Sequence, residues 1–249
     1  MTSCERFRGK VALVTGGASG IGLATARSFL REGGAVCVVD RDERAVRAAK
    51  ELGASSPESR TWGVACDVSH EADVESVTSR CLDRFGRLDV VVNSAGIMIV
   101  KPLEEHTTAD WESVLRVDLL GAFYFIRAAF REMREGGAIV NVSSVHAVET
   151  TAEVAAYAAA KAALVSLTHS AAIEGKAKRI RVNAVLPGAI GTPMLWDNPN
   201  VKSGLERINK ADVGKPEEVA EVIVFLASPD ASFVQGAAVL VDGGRLAKL

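Results

Sequence analysis

Short apolar runs recur along the 249-residue chain, and most are rich in valine, isoleucine or leucine. Seven of them stand out: KVALVT, AVCVVD, TWGVACDV, LDVVVNSAG, GAIVNVSS, RIRVNAVLPG and AAVLVDGG. Within each run the apolar residues are nearly continuous and do not alternate with polar ones. This pattern is typical of strands in a parallel sheet that is covered on both faces.

Longer segments with helical patterning separate these runs. They span residues 20–32, 42–52, 70–85, 110–134, 154–175 and 216–228. The alternation predicts an α/β fold, a single-domain, doubly wound, Rossmann-type, mostly parallel seven-stranded sheet with helices on both faces. A (β/α)₈ barrel is the structural rival, but only seven strand candidates are present. No internal repeat or linker divides the sequence, so we expect one domain over residues 1–249.

Composition and charge exclude several classes of protein. Hydrophobic residues make up 48% of the chain, and the formal net charge is −2. This near-neutral balance argues against nucleic acid or an anionic membrane as the main partner. No apolar run approaches the roughly 18 residues that cross a bilayer. The polar start MTSCERFRGK lacks the apolar stretch of a secretory signal. We therefore expect a cytoplasmic protein.

Cysteine and histidine spacing gives no sign of a metal site. The cysteines at positions 4, 37, 66 and 81 form no CxxC pair, and the histidines at 70, 106, 146 and 169 form no HExxH-like cluster. Scattered thiols of this kind fit a reducing compartment. We expect neither a structural nor a catalytic metal.

A glycine-rich loop, TGGASGIG, follows the first strand directly and opens the first helix. Gly16, Gly20 and Gly22 leave bare backbone for a pyrophosphate, and free N–H groups at the helix start bind the anion. Ser19 and Ile21 lie between these glycines. Glycines alone are weak evidence, but here a strand precedes the loop and an acidic residue closes the second strand. The loop therefore predicts dinucleotide binding.

Asp40 is that acidic residue, eighteen positions after Gly22. Its carboxylate accepts hydrogen bonds from ribose hydroxyls and repels a 2′-phosphate, so NAD is favoured over NADP. Arg41 keeps the alternative open, because it could bind a 2′-phosphate if Asp40 swung aside. Otherwise Arg41 faces the adenine or solvent. An S-adenosylmethionine methyltransferase, which also binds ribose through an acidic residue, is the competing class at this point.

Four further motifs follow in order: NSAG after the fourth strand, VNVSS after the fifth, then YAAAK and LPGAIGTP. With them the chain resembles the short-chain dehydrogenase/reductase family from about Lys10 to Gly244. Ser144 stands thirteen residues before Tyr157, which is the family's spacing. The resemblance disfavours a methyltransferase, and the absence of a GxSxG motif disfavours a serine hydrolase. It implies hydride transfer between a nicotinamide cofactor and a secondary alcohol or ketone.

Tyr157 and Lys161 lie four residues apart and therefore share one helix face. An ordinary tyrosine, with a pKa of about 10, is too weak an acid to serve as an efficient base at neutral pH. Lys161 favours the phenolate electrostatically. The resemblance implies that Tyr157 is the general acid/base, that Lys161 also binds the nicotinamide ribose, and that Ser144 holds the substrate oxygen.

Position 118 departs from the family pattern. The stretch WESVLRVDLLGAFYF matches a family segment that normally carries a catalytic asparagine, which helps to hold a relay water, yet Asp118 stands here. An ionised Asp118 near Lys161 would offset part of the field that lowers the Tyr157 pKa. Alternatively an oxygen of Asp118 takes the place of the asparagine's amide oxygen, or a nearby cation neutralises the Asp118 carboxylate. We predict a relay role for Asp118. Ser94 in NSAG is a milder departure.

The resemblance also implies further cofactor contacts in three segments. These are Asp67 and Val68 beside the adenine, Asn93, Ala95 and Gly96 on the adenosine ribose side, and Pro187, Gly188, Ile190 and Thr192 around the carboxamide.

The stretch of residues 189–213 lacks clear periodicity, as a lid or a disordered segment does, and it matches the family's substrate-binding loop. We predict that Met194, Leu195 and Trp196 form an apolar cover and that His146 contacts the substrate. The alternatives are that Trp196 only anchors the loop and that His146 faces solvent. The substrate is a secondary alcohol or the matching ketone.

The resemblance implies a homotetramer, and two apolar helical segments have enough surface for such pairing. Two functional alternatives stay open. One is an NADP-dependent ketone or 3-oxoacyl reductase on the same scaffold. The other is a dinucleotide-binding regulator that lost catalysis with the change at position 118.

Overall fold

The computed structural model describes residues 5–54, 60–205 and 207–247. Residues 1–4 of the N-terminal start discussed above, which include Cys4, and residue 206 of the predicted substrate loop lie outside the described residues. Seven strands form the sheet: β1 Val11–Thr15, β2 Ala35–Asp40, β3 Thr61–Ala65, β4 Val90–Asn93, β5 Ala138–Val142, β6 Arg181–Pro187 and β7 Ala238–Val241. Their order is β3-β2-β1-β4-β5-β6-β7, and every neighbouring pair is parallel.

Nine α-helices are present in the described ranges. They are α1 Gly20–Arg31, α2 Arg44–Gly53, α3 Glu71–Phe85, α4 Thr108–Leu115, α5 Gly121–Glu132, α6 Ala155–Ala177, α7 Pro193–Trp196, α8 Pro199–Ser203 and α9 Pro216–Ala227. The predicted doubly wound fold is confirmed, with two corrections. The helix expected over residues 110–134 is interrupted by a π-helical turn, Arg116–Leu120. The loop expected over residues 189–213 contains the short helices α7 and α8.

Both faces of the sheet are covered by helices. One apolar layer joins alternate strand residues such as Val14 to α1, α2 and α9. The other joins residues such as Leu13 to α3, α5 and α6. Successive strand residues point to opposite faces, so burial on both faces requires continuous apolar runs. In the part of the chain that the structure describes, no helix is both long and apolar enough to cross a membrane.

The strand order reverses at β1. The chain leaves β1 towards β2 and β3 on one side, and it later returns to β4 on the other side. In doubly wound sheets, the loops after the carboxyl ends of two such strands diverge and leave a crevice for a ligand. The predicted site residues lie at the strand ends on this edge of the sheet, in the loops that leave it and in the helices that follow those loops.

Candidate active site

One cavity of about 750 Å³ opens at the carboxyl ends of the strands. Its wall contains most of the residues that the sequence singles out: Gly16, Ser19, Gly20, Ile21, Gly22, Asp40, Arg41, Asp67, Val68, Ala95, Gly96, Ser144, His146, Tyr157, Lys161, Pro187, Gly188, Ile190, Thr192, Met194 and Leu195. Three predicted residues, Asn93, Asp118 and Trp196, are not part of this wall.

The glycine-rich loop packs too tightly for side chains. A Cβ atom on Gly22 would lie 2.3 Å from the carbonyl oxygen of Gly16, and Gly16 itself has a φ of +62°. The loop leads into α1, whose first turn carries no acidic residue. The positive end of the helix dipole and its free N–H groups therefore face the cavity, as binding of a pyrophosphate requires.

Asp40 ends β2 with its side chain on the cavity wall. One of its oxygens, Oδ2, accepts a hydrogen bond from the backbone N–H of Ala18 at 3.2 Å. This contact holds the carboxylate beside the glycine-rich loop, where a ribose would lie. The positions of the loop and of Asp40 thus fit the adenosine half of a dinucleotide.

Two arginines lie on the wall near Asp40. Arg41 is exposed, whereas Arg44, which the sequence reasoning missed, donates from Nε to both oxygens of Asp42 at 2.9 and 3.1 Å. Arg44 also lies 3.8 Å from Asp40 Oδ1. Its position one helical turn after Asp40 is the signal that could have identified it.

Ser144, Tyr157 and Lys161 come together where β5 meets α6. The Lys161 ammonium is buried, donates to the Val142 carbonyl at 3.1 Å and lies 5.5 Å from the centre of the Tyr157 ring. Ser144 lowers the pKa of the Tyr157 hydroxyl, and its own Oγ accepts from the backbone N–H of His146 at 3.2 Å. Ser143 has a different contact, because its hydroxyl donates to the Lys161 carbonyl at 2.8 Å and ties β5 to α6.

Asp118 lies in the π-helical turn, beneath the cavity, with 1% of its surface exposed. Its Oδ1 accepts from the backbone N–H of Ile97 at 2.8 Å, and its Oδ2 lies 3.1 Å from Lys161 Nζ. A Cβ atom on Gly96 would lie 2.9 Å from Asp118 Oδ2 and 3.3 Å from Lys161 Nζ, so a larger residue at this position would crowd the pair. Lys161 is therefore the cation that pairs with the Asp118 carboxylate.

These charges set the pKa values of the site. Burial raises the pKa of the Tyr157 hydroxyl above its usual value, and Asp118 raises it further, against the opposing effects of Lys161 and Ser144. Burial acts in the opposite direction on Lys161, but Asp118 and Tyr157 outweigh it and raise the pKa of the ammonium. Burial raises the pKa of Asp118, while Lys161 and the Ile97 N–H oppose this rise. Lys161 is therefore held as a cation.

Asn93 is buried and is not part of the cavity wall, and its contact with the cofactor stays a prediction. Its Nδ2 donates to Asn141 Oδ1 at 2.8 Å, and Asn141 Nδ2 donates to Thr168 Oγ1 at 2.9 Å. This buried chain of amides joins β4, β5 and α6. The loop after β4 is held separately, because Thr15 Oγ1 accepts from the backbone N–H groups of Ser94 and Ala95, both at 3.0 Å.

The predicted substrate residues fall into two groups. Met194 and Leu195 lie on the cavity wall, and His146 lies there too with its ring centre 5.9 Å from that of Tyr157. Trp196 is 41% exposed and lies off the wall. The apolar cover and the anchor of the loop therefore both stay predictions for Trp196.

Arg245 also lines the cavity, and the sequence reasoning missed it. It follows the last strand in a short tail where no periodic pattern marks which way a side chain points.

The described part of the chain contains no group of three or more His, Cys, Asp or Glu side chains placed to hold a metal ion.

Comparison with known proteins gives consistent matches over nearly the whole chain. A family profile described as enoyl-(acyl carrier protein) reductase matches residues 16–245. The short-chain dehydrogenase/reductase ABA4 of Pyricularia oryzae is 38% identical, covering 94% of this chain and 91% of that protein. The cis-4-hydroxycyclohexanecarboxylate dehydrogenase of Sinomonas cyclohexanicum is 44% identical, covering 98% and 99%. The 3-oxoacyl-acyl-carrier-protein reductase FabG of Thermotoga maritima is 38% identical, covering 96% and 98%.

Solved structures match equally well. The crystal structure of levodione reductase superposes with a TM-score of 0.90 at 35% identity, covering 98% of this chain and 100% of that one. A short-chain dehydrogenase from Burkholderia cenocepacia, solved in complex with NADP, gives a TM-score of 0.88 at 31% identity, covering 96% and 98%. Both of these solved structures therefore share the doubly wound fold of this chain.

Proposed function

This chain belongs to the short-chain dehydrogenase/reductase family and is an oxidoreductase of alcohol or ketone groups, and we propose that it transfers a hydride between NAD(H) and a secondary alcohol or ketone with Tyr157 as general acid/base. One observation carries the proposal. The glycine-rich loop with Asp40 and the group of Ser144, Tyr157 and Lys161 line the same cavity.

In alcohol oxidation the Tyr157 phenolate takes the hydroxyl proton of the substrate. Ser144 donates a hydrogen bond to the substrate oxygen and stabilises the charge that develops there. Lys161, held as a cation above Asp118, stabilises the phenolate before the proton arrives. When bound, NAD supplies the hydride acceptor. In ketone reduction the same groups act in reverse, and Tyr157 donates the proton.

The chain offers a continuous set of residues to hold that cofactor. The loop of Gly16, Gly20 and Gly22 would bind the pyrophosphate, and Asp40 would bind the adenosine ribose. Asp67, Val68, Ala95 and Gly96 line the adenosine side of the proposed site, and Lys161 would bind the nicotinamide ribose. Pro187, Gly188, Ile190 and Thr192 would surround the carboxamide.

NAD rather than NADP is our proposal for the cofactor, and the setting of Asp40 supports it. The carboxylate is fixed by the Ala18 N–H at 3.2 Å, so it stands where a 2′-phosphate would have to bind. Arg44 is engaged with Asp42 at 2.9 Å, which leaves less of its charge for a phosphate.

Fluorescence titration of the purified protein with NADH and NADPH tests this choice. We expect NADH to bind at least tenfold more tightly, because Asp40 accepts from ribose hydroxyls and repels a phosphate. Asp40→Ala, with Arg41 retained, should shift the preference towards NADPH by at least tenfold. Tighter binding of NADPH to the unchanged protein would contradict the proposal, and binding of neither would contradict the assignment of the glycine-rich loop.

An NADP-dependent ketone or 3-oxoacyl reductase is the second candidate. Arg41 and Arg44 both lie on the cavity wall near Asp40, where they could hold a 2′-phosphate. The similar structure that contains NADP and the similar 3-oxoacyl reductase also favour it. The titration above separates the two candidates.

For the substrate, the relative with 44% identity makes cis-4-hydroxycyclohexanecarboxylate the first alcohol to test. Cyclohexanol and 2,3-butanediol serve as secondary alcohols without a charge. Met194 and Leu195 on the wall support an apolar frame for the substrate.

We also propose a cytoplasmic homotetramer, as the family resemblance implies. The described cysteines, Cys37, Cys66 and Cys81, are buried free thiols, which suits a reducing compartment. Exposed apolar side chains on three helices and the edge strand support pairing between copies: Phe123, Ile173, Phe225 and Leu240. Light scattering of the purified protein tests the assembly.

A further inference from the structure

Arg245 places a positive charge on the cavity wall without a carboxylate to balance it. Lys161 is paired with Asp118 at 3.1 Å and Arg44 with Asp42 at 2.9 Å. Among the described residues, none forms an ion pair with Arg245. The side chain is half-buried, so solvent screens its charge only in part.

A built turn directs this side chain into the cavity. Asp242 Oδ1 accepts from the backbone N–H of Gly244 and Asp242 Oδ2 from that of Leu246, both at 2.9 Å. The backbone N–H of Arg245 donates to the Asp242 carbonyl at 3.2 Å. Gly243 and Gly244 have φ values of +62° and +81°, which lets the chain reverse after β7. The Asp242 carboxylate is thus held by backbone N–H groups, and within the described residues it forms no ion pair with Arg245.

The turn lies at the nicotinamide end of the cavity. The N–H of Gly188 donates to the Val241 carbonyl at 3.1 Å, and a Cβ atom on Gly188 would lie 2.9 Å from the Cα of Asp242. Gly188 belongs to the segment that would surround the carboxamide. Arg245 is therefore separated from Asp40 and the adenosine side.

Arg245 also acts electrostatically on His146. Burial lowers the pKa of His146, and the charge of Arg245 lowers it further. The His146 ring lies 5.9 Å from the ring of Tyr157, centre to centre. The field of Arg245 thus reaches the side of the cavity where Tyr157 acts, and His146 stays neutral there.

A cation in such a place favours an anion such as a carboxylate. A single guanidinium matches a carboxylate through two parallel N–H···O bonds. The cavity wall that contains Arg245 and Tyr157 also has apolar residues, among them Val145, Val154, Met194 and Leu195. These residues suit an apolar frame between the acid and the alcohol.

We propose that Arg245 binds a carboxylate of the substrate, so that the enzyme prefers secondary alcohols and ketones that carry an acid on an apolar frame. This inference rests on the proposed function. It adds a specificity residue and a substrate class to the same site.

The test compares acids with their uncharged amides. The probes are cis-4-hydroxycyclohexanecarboxylate and 3-hydroxybutyrate, each with the matching carboxamide, and kcat and KM are measured with NAD. The proteins are the unchanged enzyme, Arg245→Gln, Arg245→Lys and the control Arg134→Gln. Arg134 is exposed near the amino end of β5, at the opposite edge of the sheet, and does not line the cavity.

For at least one pair we expect the acid to exceed its amide in kcat/KM by tenfold or more. Arg245→Gln should bring this ratio close to one, mainly through a higher KM for the acid. Arg245→Lys should keep an intermediate ratio, and Arg134→Gln should keep the full ratio. Because each ratio is taken within one protein, general damage to the fold cancels.

Ratios near one in the unchanged enzyme, or an unchanged ratio in Arg245→Gln, would overturn the inference. It would also fail if the enzyme oxidised cyclohexanol or 2,3-butanediol but none of the four probes, while the proposed function would stand. If a protein that binds NADH oxidised no alcohol at all, the proposed function would fail and the inference with it.

Discussion

Asp118 shows how one side chain changes the electrostatics of the whole catalytic group. It is buried, it pairs with Lys161 at 3.1 Å, and its charge raises the pKa of Tyr157 while Lys161 acts in the opposite direction. An ionised carboxylate in this place makes the phenolate harder to form. The same carboxylate keeps Lys161 protonated, and the Lys161 cation favours the phenolate. Asp118 therefore opposes the phenolate directly and supports it through Lys161.

Asp118→Asn should therefore move the pH dependence of alcohol oxidation. Removal of the negative charge lowers the pKa of Tyr157, so the rising limb of kcat/KM against pH should shift to lower pH by about one unit. The amide oxygen can still accept from the Ile97 N–H, so the π-helical turn should keep its shape. The measurement is kcat/KM for one secondary alcohol from about pH 6 to about pH 11, a range that extends past the ordinary tyrosine pKa of about 10.

Asp110→Asn is the matched control. Asp110 lies on the preceding helix, pairs with Lys101 at 2.8 Å and is not part of the cavity wall. Replacement of Asp110 should leave the rising limb of kcat/KM at the same pH as in the unchanged enzyme. An unmoved limb in Asp118→Asn, or a shift to higher pH, would contradict the electrostatic role given to Asp118.

The sequence predicts residues well where the relation between them is local. Tyr157 and Lys161 share a helix face because of their spacing, and the structure places both on the cavity wall. Asn93 sits at the end of a strand, where sequence does not tell whether a side chain points into the cleft or behind it. Arg245 reaches the site only through the turn around Asp242, which depends on tertiary contacts.

At the scale of elements, the two ends of the sheet are fixed by different polar groups. The carboxyl ends of β4 and β5 are joined to α6 through Asn93, Asn141 and Thr168, which positions the helix that carries Tyr157. Near the amino ends, Asp89 accepts from the Val11 N–H at 2.9 Å and from Arg87 Nε at 2.7 Å. Asp89 thus aligns β1 with β4 at the end opposite the site.

Asp89→Asn should destabilise the fold in a pH-dependent way. Burial alone would raise the pKa of Asp89, but Arg87, the Val11 N–H and Lys10 outweigh it and lower the pKa below 3.8. A pKa lower in the folded state gives stability that is present at neutral pH and is lost as pH falls through the folded-state value. We expect the free energy of unfolding to fall by about 1–3 kcal/mol at neutral pH, with a smaller difference in acid.

Urea denaturation at neutral pH and in acid measures this effect. Asp83→Asn is the control, because Asp83 is exposed on α3, and among the described residues none pairs with it. That variant should unfold like the unchanged protein. An equal loss for Asp89→Asn at both pH values would show that its charge is not the source of the stability.

Element boundaries depart from the sequence-based expectations at two places. The π-helical turn Arg116–Leu120 lies within a continuous helical pattern, where no residue type marks the change from i→i+4 to i→i+5 hydrogen bonding. Helices α7 and α8 have four and five residues, too few to show a 3.6-residue period. Each has proline in its first turn and a favoured N-cap residue, Thr192 or Asn198, and these are the local signals of its start.

At the scale of the whole molecule, the fold follows from burial on both faces of the sheet. Continuous apolar runs predict seven parallel strands, and the structure contains all seven. The reversal of strand order at β1 then produces one cavity at a single edge. Sequence could predict this cavity because the fold class fixes its place, whereas the charges inside it depend on which side chains turn inward.

One measurement tests the central claim most directly: NADH formation by the unchanged enzyme and by Tyr157→Phe, with a panel of secondary alcohols. Tyr124→Phe is the control, because Tyr124 is the other tyrosine of the chain and lies on α5, away from the cavity wall. A fluorescence titration of each variant with NADH checks that the dinucleotide still binds.

We expect kcat/KM to fall by about 10²–10⁴-fold in Tyr157→Phe, because the substitution removes the base. The variant should still bind NADH, because the glycine-rich loop is unchanged. Tyr124→Phe should turn over like the unchanged enzyme. Full turnover by Tyr157→Phe would contradict the mechanism. An unchanged protein that binds NADH but oxidises no secondary alcohol would instead indicate a dinucleotide-binding regulator without catalysis.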